Sequence, residues 1–181
     1  LAVTSTKQEK LDKLMEALGN PSEDRVKGFV VDITDEEQIK DATNKAVEHF
    51  GSLYSMVANA GYNGDYQETV DATQENFQRV FDVNGFVVLW SLKYAIQHIV
   101  EGGGGSIVVL GSEGSYVGSP GMGAYVASKH AVADLVKTVN TEVGSKGIHA
   151  NYVAPSAVKT DMMVRIAENT FGDSKTHEET E

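Results

Sequence analysis

The chain has 181 residues, 41% hydrophobic and 23% charged, a composition that suits one folded domain with a real core. Its net charge of −11 works against nucleic acid as a partner, because phosphate recognition needs clustered lysine and arginine. Without cysteine there is neither a disulfide framework nor thiolate chemistry, which fits a cytoplasmic protein, and no apolar run approaches the roughly 18 residues of a membrane span.

Strand-like and helix-like stretches alternate along the chain. Residues 1–4 read as the end of a strand, and 7–18 as a helix with Leu11, Leu14, Met15 and Leu18 on one face. Gly19, Asn20 and Pro21 stop that helix. Residues 27–34 predict a short buried strand. Thr34 and Glu37 then predict a capping box for a helix that buries Ile39, Ala42, Ala46, Val47 and Phe50. Residues 52–61 predict a strand running into a glycine turn. The apolar spacing over 73–100 predicts one long helix, with Phe77, Val80, Phe81, Val88, Leu92, Ala95 and Ile99 buried. A turn at 102–105 leads to a strand over 106–112. A helix over 123–145 carries Ala131, Val132, Leu135, Val136, Val139 and Val143 on its apolar stripe, and 147–155 is the last clear strand. Apolar strands separated by helices imply an α/β fold with a parallel sheet covered on both faces. Ligands bind such sheets beyond the carboxyl ends of the strands, so the turns at 32–35, 59–64, 111–118 and 155–160 hold the candidate site.

Within "GAYVASK", residues 123–129, Tyr125 and Lys129 are four apart and share a helix face. A half-buried tyrosine beside an exposed lysine is the plain reading. The chemical one is a phenol whose pKa a nearby ammonium lowers, ready to exchange a proton with a carbonyl or alcohol. Ser112 closes the preceding strand, 13 residues before Tyr125, where a hydroxyl polarises the same substrate oxygen. Asn84 lies among apolar neighbours in "FDVNGFVVL" and needs buried partners, one candidate being a water shared with Lys129. The five histidines show no ligand spacing, and the "GGGG" run lacks the lysine of a phosphate-binding loop. Trp90 suits the core or a subunit interface.

On these residues the chain resembles the short-chain dehydrogenase/reductase family over residues 1 to about 165. The resemblance implies a Rossmann-like doubly wound parallel sheet and an NAD(P)-dependent oxidoreductase. It would interconvert a carbonyl and a secondary alcohol by hydride transfer. The implied catalytic set is Asn84, Ser112, Tyr125 and Lys129, with Tyr125 as acid/base, Lys129 also holding the nicotinamide ribose and Asn84 supporting a water relay. Asn59, Ala60 and Gly61 match the family's Asn-Ala-Gly turn beside the cofactor, although Ala58 replaces its first asparagine. Asp32, with Ile33 next to it, matches the segment that contacts adenine, and Pro155 and Thr160 match the nicotinamide side, although Ser156 replaces the usual glycine. Asp32 and Asn59 also suit ordinary solvated turns. Thr4, Ser5 and Lys7 carry no acid where an acid favours NAD, so NADP is expected in preference to NAD.

The family's Gly-x-x-x-Gly-x-Gly loop is absent. The resemblance puts residue 1 already in the second strand and predicts an incomplete sheet without its first and last strands. Residues 1–165 are expected to form a partial dinucleotide-binding domain carrying the active site, and 166–181 the start of a substrate lid or a polar tail. Expected partners are a small carbonyl or alcohol substrate and further copies in a homodimer or homotetramer, with no metal, nucleic acid or membrane. Glu113, Tyr116, Val117, residues 156–158, Met162 and Met163 are the expected substrate walls. A second possibility is a catalytically dead fragment whose long helices serve only oligomerisation.

Overall fold

A computed structural model describes residues 1–171. In chain order it runs β1 (Ala2–Ser5), α1 (Gln8–Ala17), β2 (Lys27–Val30), α2 (Glu36–Phe50), β3 (Ser55–Ala58), α3 (Gln74–Phe81), α4 (Val87–Glu101), β4 (Gly105–Leu110), α5 (Gly123–Val143), β5 (Ile148–Val153) and α6 (Asp161–Phe171). Every strand pair is parallel. β1 pairs with β2, and β3 pairs with β4, which pairs with β5. Among the described residues no ladder joins the two sheets. No described helix is long and apolar enough to cross a membrane.

The main core lies under one face of β3–β4–β5. Ile107 and Val109 of β4 and Ile148 and Ala150 of β5 meet Val88, Leu92, Ala95 and Ile99 of α4, and Val132, Val136, Val139 and Val143 of α5. Strand alternation sends the neighbouring side chains to the other face. There Val57 is 61% exposed and Val153 46%. A smaller cluster of Val31, Ile39, Ala42 and Val87 ties the first sheet's side to α2 and α4. Tyr94 and Lys93 of α4 both reach the Glu36 carboxylate at the start of α2, at 2.9 and 2.7 Å.

The structure corrects several local expectations. The strand expected over 27–34 ends at Val30, because Asp32 Oδ1 accepts from the Thr34 backbone N–H (3.0 Å) and hydroxyl (2.7 Å) and bends the chain. The helix cap is not the Thr34–Glu37 box, because the helix starts at Glu36 and its N-cap position falls on Asp35. Asp35 caps α2, accepting from the N–H groups of Glu37 (3.0 Å) and Gln38 (3.3 Å). Gln38 completes the turn by donating to Asp35 Oδ2 and accepting from the Asp32 N–H.

The helix expected over 73–100 is interrupted. Asp82–Phe86 form a π turn between α3 and α4, with Asn84 at its middle. On α5, Ala131 is exposed and Ala133 is buried in its place. Leu18, expected on the apolar face of the first helix, is 48% exposed past the end of α1. α6 runs through the boundary expected at 165, and its first turn is capped by Thr160, whose Oγ1 accepts from the Met163 N–H at 3.3 Å. The tail predicted beyond residue 171 lies outside the described residues.

If Asp35 is the cap, Asp35→Ala will lower the urea midpoint of unfolding more than Thr34→Ala does. Equal effects of the two substitutions would return the cap to Thr34.

Candidate active site

All the described strands run in parallel, so the segments that follow them leave each sheet at its carboxyl edge. β4 ends at Leu110. Ser112 then opens a short turn, its Oγ accepting from the Gly114 N–H at 3.1 Å. That bond uses a lone pair of the hydroxyl and leaves its proton free to donate.

Tyr125 lies in the first turn of α5, buried to 9% exposure. Burial raises its phenol pKa. Interaction with the Ser112 hydroxyl works the other way, and the nearby Glu113 carboxylate adds to the rise. The Glu113 side chain is itself held by Ser156, whose hydroxyl donates to Oε2 at 2.7 Å.

Lys129 continues the same buried face. Its Nζ donates to the Leu110 carbonyl at 2.9 Å and stands 5.7 Å from the centre of the Tyr125 ring. Burial pulls its pKa down to about 8. The plain sequence reading, an exposed lysine, is therefore excluded. The expected lowering of the tyrosine pKa by the ammonium is corrected as well. Desolvation dominates the phenol, and Lys129 spends a donor on Leu110.

Asn84 is 1% exposed and its partners are all protein groups. Its Oδ1 accepts from the Tyr62 N–H (2.8 Å), and its Nδ2 donates to the Tyr62 carbonyl (2.9 Å) and to Ser128 Oγ (2.9 Å). Ser128 in turn donates to the Tyr125 carbonyl at 2.7 Å. Both amide hydrogens are used, so the side chain has no donor left for a water. A Cβ added at Gly61 would touch Lys129 Nζ (3.7 Å) and Asn84 Oδ1 (3.8 Å), so the bare backbone of this turn borders both residues.

Other predicted positions lie at the strand ends without converging on this cluster. Thr4, within β1, and Lys7, beyond its end, are exposed, and Ser5 Oγ accepts from the Lys7 N–H at 3.5 Å. Asp32 is exposed, its carboxyl pKa lowered by the Thr34 hydroxyl and N–H. Ile33 and Ala60 pack against the smaller core cluster. Asn59 is exposed. The Pro155 carbonyl accepts from the Glu113 N–H at 2.9 Å, and Thr160 caps α6. For a dinucleotide, this set offers hydroxyls, a solvent-facing cation at Lys7, and a glycine turn open beside a buried ammonium, which fits an anionic, hydroxyl-rich ligand.

Two residues of the cluster escape the sequence reading. Ser128 is fully buried between Tyr125 and Lys129. Its signal is the spacing, since 125, 128, 129, 132, 133 and 136 form one helical stripe in which three polar residues continue an apolar face. Tyr152 shares the covered face of β5 with Ile148 and Ala150. A tyrosine there has to find a partner for its hydroxyl.

Comparison with known proteins agrees with this geometry. The family model for short chain dehydrogenases matches residues 1–170. A (+)-borneol dehydrogenase from Salvia officinalis is 38% identical over 151 residues, covering 83% of this chain and 53% of its own length. Cyclohexanol dehydrogenase of an Acinetobacter strain is 36% identical over 132 residues, 73% of this chain and 53% of the relative. The chain thus spans about half the length of these curated relatives. Among solved structures, levodione reductase superposes with a TM-score of 0.88 at 26% identity over 96% of this chain and 67% of that one. ElxO with NADP bound gives 0.84 at 30% identity, covering 93% of this chain and 67% of that one. NAD+-bound xylitol dehydrogenase gives 0.86 at 26%, over 92% and 64%. With the matching model spanning nearly its whole length and its fold superposing on these enzymes, the chain belongs to the short-chain dehydrogenase family of oxidoreductases.

Proposed function

We propose that the chain interconverts a carbonyl and a secondary alcohol with a nicotinamide dinucleotide, using Tyr125 as the acid/base. The observation that carries this reading is the meeting of Ser112, Tyr125 and Lys129 where β4 ends and α5 begins. The dinucleotide, when bound, supplies the hydride acceptor or donor. Tyr125, held protonated by burial, gives its proton to a carbonyl oxygen in the reducing direction and takes one back in the oxidising direction. Ser112 donates its free hydroxyl proton to the same oxygen. Lys129, buried beside the glycine turn, holds the ribose and replenishes charge behind the phenol. Asn84 keeps one lone pair on Oδ1, through which it would support a water relay alongside its bracing of α5.

Cofactor contacts in this reading come from Thr4, Ser5 and Lys7, then Asp32 and Ile33, then Asn59, Ala60 and Gly61, with Pro155 and Thr160 on the nicotinamide side. Lys7 and the two hydroxyls favour the 2′-phosphate of NADP over NAD. Relatives named for cyclohexanol and borneol make alicyclic ketones and alcohols the first substrates to screen. A cytoplasmic setting and assembly as a homodimer or homotetramer complete the reading. A second reading, pairing without catalysis, is favoured by one feature of α4. Phe86 and Leu89 are 42% and 41% exposed, and Phe86 stacks on Trp90 with ring centres 5.8 Å apart.

Titration calorimetry of the chain with NADPH and with NADH separates these readings. Tighter binding of NADPH is expected, with Lys7→Ala narrowing the difference. No binding of either by folded protein selects the non-catalytic reading. Tyr125→Phe should abolish reduction of cyclohexanone, a loss of at least about a hundredfold by the usual worth of an acid/base group, while nucleotide affinity stays near that of the wild type. Undiminished turnover in that variant removes Tyr125 from the chemistry.

The lysine makes its own prediction. Below about pH 8 it is charged both folded and unfolded, and the cost of burying it is present in full. As pH rises from about 8 towards the ordinary lysine value of 10.5, the folded chain has lost a proton that the unfolded chain still holds. Stability measured against Lys129→Met should therefore rise across that window, by on the order of 3 kcal/mol, and level off above it. A flat difference between the two proteins would show that Lys129 is not desolvated.

A further inference from the structure

Tyr152 is the last side chain of β5 on the covered face, and its ring packs against the main core. Its phenol oxygen lies between three elements. It accepts from the Ser112 N–H at 3.2 Å, meets the Ser115 hydroxyl, and donates to the Lys129 carbonyl at 3.3 Å. A phenol has one proton and two lone pairs. With Ser115 donating, the proton and both lone pairs have partners, so the oxygen has a single arrangement that satisfies it.

The space for this ring is made by Gly111. A Cβ at that position would coincide with the Tyr152 ring and hydroxyl. The residue between β4 and Ser112 thus has to be glycine for the phenol to reach the Ser112 backbone. Burial raises the Tyr152 pKa, with the Ser115 hydroxyl opposing, so the donor towards Lys129 persists through the neutral range.

We infer that Tyr152 is a positioning residue: through one oxygen it sets the backbone of Ser112 against the backbone of Lys129, and so fixes the strand-end hydroxyl relative to the helix that carries Tyr125. The inference rests on the proposed oxidoreductase reading for its consequence in turnover, but its geometric content stands apart. Reacting groups misplaced by about 1 Å cost large factors in rate, so a brace between two catalytic elements acts on kcat rather than on ligand affinity.

The test compares the full chain with Tyr152→Phe, which keeps the ring and deletes the oxygen. The Ser112 amide should shift in the ¹H–¹⁵N spectrum and exchange its hydrogen faster. Reduction of cyclohexanone by NADPH should lose about tenfold or more in kcat, with KM for the nucleotide unchanged. Ser115→Ala, which leaves the ring packing untouched, should move the Ser112 amide in the same direction by less, and it serves if Tyr152→Phe does not fold. An unmoved Ser112 amide in a folded variant overturns the brace. So does a shifted amide with undiminished kcat. If the wild-type chain shows no turnover at all, the oxidoreductase reading fails on its own account, and the Ser112 amide alone decides the brace.

Discussion

The buried face of α5 carries Tyr125, Ser128 and Lys129 in line with Val132, Ala133 and Val136, and polar groups on such a face must be paired. Each pairing fixes another element. Ser128 takes Asn84, which reaches it from the π turn between α3 and α4. Asn84 in turn clamps the N–H and carbonyl of Tyr62, and so holds the loop that leaves β3. Lys129 takes the last carbonyl of β4. Helix α5 is thus tied directly to the π turn and to β4, and through Asn84 to the loop after β3. Losing any one partner would leave an orphaned polar group at a cost of roughly 1–3 kcal/mol.

The same device occurs eight residues earlier in the chain. Asn76, 3% exposed, clamps the N–H and carbonyl of Asp65 as Asn84 clamps Tyr62. Two asparagines about two helical turns apart therefore anchor the backbone of the long segment between β3 and α3. This explains how a loop with little regular structure comes to border the site. It also gives the π turn a structural purpose, because the wider turn sets Asn84 against Ser128 while Asn76 faces the loop.

The electrostatics follow from burial more than from pairing. The sequence suggests that Lys129 tunes Tyr125. In the structure both groups are desolvated, and desolvation moves them in opposite directions, the phenol up and the ammonium down. Each is pushed towards its neutral form. Besides its burial, the Tyr125 phenol feels the Ser112 hydroxyl, which lowers its pKa, and the Glu113 carboxylate, which raises it.

Hydrophobic spacing in the sequence determined the alternation of strands and helices, the parallel α/β class and most core positions, since each of these depends on a period of two or 3.6 residues. The four residues proposed as the catalytic set were legible too, because their types and spacing stand out against an apolar background. Local competition decided what the period could not. Asp32 bent the chain by accepting from Thr34, the cap of α2 fell on Asp35, and the π turn at Asn84 has no signature in propensity. The partners of the site were decided by tertiary structure alone. Tyr152 meets Ser115, Ser112 and Gly111 across 37, 40 and 41 residues, and Asn84 meets Ser128 across 44. Such pairings depend on how a strand end and two helices pack in three dimensions, and no periodicity along the chain encodes them.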